Sequence, residues 1–130
     1  MATVLVYGFD IVQEQVIRQV AATMDVTVRR VLPEEANETV FRLLSTPERG
    51  KLFPGPGNAS EPFLLAALDS REQMFDLFHR ISEKGISVPC KAMVTPTNVS
   101  WPFGKLVRHV SEEAWEMRER IERQKNAKQS

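Results

Sequence analysis

Two stretches of this chain follow the same plan, and a plan stated twice constrains the fold more than any single residue can. Val4-Leu5-Val6-Tyr7-Gly8-Phe9-Asp10 and Phe63-Leu64-Leu65-Ala66-Ala67-Leu68-Asp69 are each an apolar run closed by an aspartate. A stretch with helical spacing follows each: Val12, Val16, Ile17, Val20 and Met24 in the first, Met74, Leu77, Phe78 and Ile81 in the second. The first then passes through Asp25 into a β-type run at residues 26–32. The second passes through Lys84 and the helix-ending Gly85 into another at residues 88–94. Pro33 and Pro96 follow these runs, and behind each lies a further segment able to form a helix. The order βαβα therefore occurs twice, over residues 3–44 and 62–122.

The runs differ in a way that orders the sheet. Residues 4–7 and 63–68 are apolar at successive positions, as strands covered on both faces are, whereas the other two carry Arg29, Arg30 and Lys91. The first and third strands are expected in the middle. The pattern predicts an α/β fold with a four-stranded parallel sheet in order 2-1-3-4 and helices on both faces. A ferredoxin-like antiparallel sheet with extra helices is the alternative. Residues 45–61 carry Pro54-Gly55-Pro56-Gly57 and read as a surface loop joining the two copies, a mobile excursion within one domain of residues 1–130. In the last segment Phe103, Leu106, Val107, Val110, Ala114, Met117 and Ile121 share one helical stripe. Apolar residues then run out, so fraying is expected over residues 123–130.

Composition enters as a set of exclusions. The 130 residues are 42% hydrophobic, enough for one core, and 17 Lys+Arg balance 17 Asp+Glu. Net neutrality argues against nucleic acid or a polybasic membrane contact as the partner. One cysteine, Cys90, excludes an internal disulfide. With only His79 and His109 besides, and neither expected to have a ligating partner at i+3 or i+4, no metal and no cofactor are expected. The apolar start stops at Asp10, too short for a membrane span, and a cytoplasmic address is the simplest expectation.

Candidate sites are few. Gly8-Phe9-Asp10 lacks a phosphate-loop pattern, and Asp10 and Asp69 read as helix caps. Cys90, between Val88 and Ala92, reads as a small core residue and not as a nucleophile served by a histidine. The densest cluster is Lys91, Thr95, Thr97, Asn98 and Trp101. There a lysine for an anion, side chains for directional hydrogen bonds and an aromatic wall follow one strand. The structural reading uses the same residues: Thr97, Asn98 or Ser100 caps the last helix, Pro102 sits in its first turn, and Lys91 blunts a sheet edge.

The run K-A-x-x-T-x-x-N-x-x-W, here Lys91, Ala92, Thr95, Asn98 and Trp101, resembles the signature of a family of small bacterial proteins known only as a domain of unknown function, over residues 62–113. The resemblance singles out those residues and implies no activity for them.

Without an acid-base pair, an activated nucleophile or a cofactor loop, no catalytic residue is named. The leading expectation is a small non-enzymatic interaction or regulatory module that binds another protein or forms a homodimer. Trp115 is the candidate interface residue: at 100° per residue it falls about 130° from the centre of the apolar stripe, among charged residues. The alternative is an anionic-ligand or catalytic pocket around Lys91, Thr95 and Asn98. It requires the carboxyl ends of the strands to converge, and hence a parallel sheet.

Overall fold

Each apolar run becomes a strand because both its faces are covered, and the amphipathic stretch behind it returns the chain to start a parallel neighbour. The computed structural model describes residues 2–48, 62–88 and 90–128, and for residues 114, 115, 118 and 123–128 the backbone alone. The elements are β1 (Thr3–Tyr7), α1 (Ile11–Ala22), β2 (Thr27–Arg30), α2 (Val40–Ser45), β3 (Phe63–Ala67), α3 (Arg71–Glu83), β4 (Cys90–Met93) and α4 (Phe103–Lys128). Single turns of 3-10 helix, Pro33–Glu35 and Asn98–Ser100, precede α2 and α4. Residues 49–61 of the expected mobile loop lie outside the described residues. The α4 backbone is helical to Lys128, through positions where the loss of apolar residues predicts fraying.

The sheet has the expected order β2-β1-β3-β4. β1 and β2 are parallel, as are β3 and β4. The central pair departs from the all-parallel expectation: β1 and β3 run antiparallel, with Leu5 opposite Leu65. Apolarity on both faces reports burial and carries no direction. The α2 helix between the two units is short, its six residues rising about 9 Å. On leaving α2 the chain is still beside the carboxyl end of β2, where Arg29 binds the Thr46 and Pro47 carbonyls. β3 starts where β1 finishes, Phe63 facing Tyr7.

Two like units joined across an antiparallel pair are related by an approximate two-fold axis. The same axis is visible on the helical layer. Val40 N–H, opening α2, donates to the Trp101 carbonyl at 3.0 Å, and Phe103 N–H, opening α4, donates to the Glu38 carbonyl at 2.8 Å. α1 and α3 cover one face around Val6, Ile17, Leu64, Leu77 and Ile81. The other face buries Leu5, Leu43, Leu65, Cys90, Phe103 and Leu106 beneath α2 and α4. Cys90 is thus the small core residue that its neighbours predict.

The two helix starts correct the sequence alignment by one residue. Asp10 caps α1, its carboxylate accepting from Gln13 N–H at 2.8 Å while Gln13 Oε1 accepts from Asp10 N–H at 3.3 Å. In the second unit the cap is Ser70, whose Oγ accepts from Gln73 N–H at 3.1 Å, and not Asp69, which stands one residue too early to reach the first helical turn. Replacing Asp10 or Ser70 by Ala is expected to cost about 1 kcal/mol, and Asp69→Ala much less. Urea denaturation of the three variants checks this; equal losses at Asp69 and Ser70 would contradict the assignment.

Candidate functional site

The turn after β4 is tied by a reciprocal pair of hydrogen bonds. Asn98 Oδ1 accepts from Thr95 N–H at 2.8 Å, Thr95 Oγ1 accepts from Asn98 N–H at 3.0 Å, and Asn98 Nδ2 donates to the Met93 carbonyl at 3.0 Å. The first unit uses a comparable device, Glu35 Oε1 accepting from Leu32 N–H at 3.0 Å. A polar side chain five residues after the last residue of the strand closes the turn in both copies. Thr97 is exposed. Lys91 is also exposed, its Nζ 5.6 Å from the Phe78 ring centre and donating to the Val88 carbonyl. Trp101 packs against the opposite face of the sheet, edge-to-face with His109 and beneath Lys105 Nζ at 4.7 Å. The structure therefore brings Thr95 and Asn98 together and separates Lys91 from Trp101. None of Thr97, Asn98 and Ser100 caps α4, whose first amides bond to the carbonyls of Glu38 and Ala36.

The antiparallel centre also dissolves the expected convergence of strand ends. Phe9 and Asp10 follow β1 at one end of the sheet, while Leu68, Asp69 and Thr95 follow β3 and β4 at the other. A pocket built from all three segments does not form.

A buried ionic network escapes the sequence pattern. Arg29, 4% exposed, holds Glu35 with two nitrogens at 3.1 and 2.9 Å. Nearby Glu14, equally buried, receives both Arg18 and Arg30, and Arg18 reaches on to Glu48 at 2.7 Å. Burial pushes the Glu14 carboxyl up, but hydrogen bonds from Arg30 and Arg18, with their charges, outweigh it and hold the group below the ordinary carboxylate range. One signal was available: Glu14 stands three residues before Ile17 and seven before Ala21, on the apolar stripe of α1. Each of these carboxylates is matched by a guanidinium, an arrangement that fixes structure.

Contrary to expectation, both histidines have a carboxylate partner at i+4. His79 pairs with Glu83 at 2.6 Å and His109 with Glu113 at 3.0 Å, all four side chains being exposed. Among the described residues no group of three or more candidate metal ligands stands together.

Two surface features involve α4. An open groove of about 590 Å³ beside its first turns is lined by Asn37, Pro102, Lys105, Arg108, His109 and Glu112, with Ala36 and Gly104 at its floor. Gly104 permits this close approach, as its N–H donates to the Ala36 carbonyl at 2.8 Å and a Cβ would stand 3.2 Å from that of Ala36. The second feature is the far half of the helix. α4 runs back along β4 until Ser111 Oγ lies 3.7 Å from the Sγ of Cys90, the first residue of that strand. Past this point the helix continues for about 25 Å. Phe103 and Leu106 are buried, whereas Met117 is 60% and Ile121 47% exposed, so the stripe expected to be core is core only in its first half.

A duplicated βαβα domain is the class that this fold defines. A family model described as a domain of unknown function, DUF3783, matches residues 63–117, which take in the second unit from β3 into the projecting part of α4. No curated protein and no solved structure matches the chain. No helix among the described residues is long and apolar enough to cross a membrane.

Proposed function

We propose that the domain is a protein-interaction module that self-associates through the projecting half of α4. The observation that carries this reading is the exposure of Met117 and Ile121 in line with the buried Phe103 and Leu106. A lone helical arm is marginal in water, and an apolar stripe along it favours a second helix laid against it. The occupant is a second copy, because the flank of the stripe is self-complementary. Glu113 and Arg120, seven residues apart and therefore on one side, are both exposed. Antiparallel pairing about a two-fold axis near Met117 sets each glutamate against the other copy's arginine. The exposed His109 contact does not hold Glu113 away, since such a pair is worth little. Trp115, the interface candidate of the sequence, belongs to this helix, but its side chain lies outside the described residues.

Sedimentation velocity over a concentration series tests the reading. Wild type is expected to dimerise, Met117→Glu to be monomeric, and Glu113→Arg to weaken a dimer that Arg120→Glu in the same chain restores. A wild type still monomeric at about 100 µM would overturn it.

A further inference from the structure

The two edges of the sheet are counterparts under the approximate two-fold axis, yet they are finished differently. On β2, Val31 N–H donates inward to the Val6 carbonyl, so strand alternation turns the backbone groups of Val28 and Arg30 outward. Side chains close three of those four groups: Arg18 donates to the Val28 carbonyl, Glu48 accepts from Arg30 N–H, and Arg29 donates to the Arg30 carbonyl. On β4, Val94 N–H donates inward to the Ala66 carbonyl, which turns Lys91 and Met93 outward. The Met93 carbonyl is taken by Asn98. Among the described residues, Lys91 N–H, Lys91 C=O and Met93 N–H have no partner.

We infer that the β4 edge is a strand-addition site for an extended peptide carrying an acidic residue opposite Lys91. An added antiparallel strand exchanges two hydrogen bonds with Lys91 and accepts a third from Met93. Lys91 selects the occupant. Pairing β4 with itself about Lys91 would set two lysines directly opposite on one face, their Cα atoms about 5.5 Å apart, which is unfavourable, whereas Asp or Glu at that position is attracted. Phe75, 62% exposed, stands one turn before Phe78, the ring that Lys91 overlies. It offers an apolar ledge to a side chain two residues from the acid, because alternate residues of a strand share a face. The occupant is thus a peptide with an acidic residue and an apolar one at i and i+2. This inference stands on β4 and α3, independently of the α4 arm.

The test uses the full chain and the synthetic peptide acetyl-Ser-Val-Thr-Glu-Thr-Val-Ser-amide, with a second peptide having Lys in place of Glu. The Glu peptide is expected to bind about fivefold more tightly than the Lys peptide, to slow amide hydrogen exchange at Lys91 and Met93, and to leave Arg30 unchanged. Lys91→Glu, a change at an exposed side chain, is expected to reverse the preference. Absence of saturable binding up to about 1 mM, an unchanged preference in Lys91→Glu, or concentration-dependent protection of Lys91 and Met93 without any peptide would each overturn the inference, the last by showing a second copy on this edge.

Discussion

Replacing Arg29 by Met is expected to destabilise the domain by about 3–5 kcal/mol. The magnitude follows from what stays behind. Glu35 is 3% exposed, and its carboxylate would lose both guanidinium bonds. A buried charge with its partner removed is among the costliest defects a core can hold. The same substitution releases the carbonyls of Thr46, Pro47 and Arg30, so the start of the linker and the outer edge of β2 lose their fastening together. Urea unfolding at neutral pH measures the loss. The double variant Arg29→Met, Glu35→Leu is expected to recover most of it, because removing both charges also removes the need to solvate them. A loss below about 1 kcal/mol in the single variant would show that Glu35 is reached by water or by another cation.

That pair also marks the limit of what could be read from the chain. Strand order followed from the contrast between doubly apolar runs and runs carrying Arg29, Arg30 and Lys91, since edge and centre differ in burial and burial is written in residue type. The direction of β3 was not written there, because a strand covered on both faces is equally apolar whichever way it runs. Arg29 and Arg30 were legible as edge residues. Their partners were not: Glu14, Glu35 and Glu48 come from three other segments, and only the fold brings them together. At the Thr95–Asn98 turn the residue types were visible, but sequence alone could not show that both side chains bind backbone of the same turn. Along α4 the stripe was legible throughout, but not the point at which the sheet beneath it ends.

That point gives Phe103 its importance, and Phe103→Ala is expected to cost about 3–5 kcal/mol. Phe103 opens α4 and is 0% exposed, its ring meeting Tyr7 edge-on with centroids 5.5 Å apart and Phe63 likewise at 5.8 Å. Tyr7 and Phe63 are the register pair that closes the antiparallel contact between β1 and β3, so one side chain from the second unit fills the seam between both units. Truncation removes a full aromatic volume and the two ring contacts, each worth about 0.5–1.5 kcal/mol beyond burial. The backbone bonds from Phe103 to Glu38 and from Val40 to Trp101 leave little room for α4 to settle into the void. Phe103→Leu keeps most of the volume without the ring edges and should fall between Ala and wild type. Denaturation of the pair, with sedimentation alongside, separates anchoring from pairing: Phe103→Ala should lower the unfolding midpoint of a dimer that still forms, whereas Met117→Glu should abolish the dimer with the fold of each chain retained. A Phe103→Ala variant as stable as wild type would mean that the first turn of α4 is not what holds the helix to the sheet.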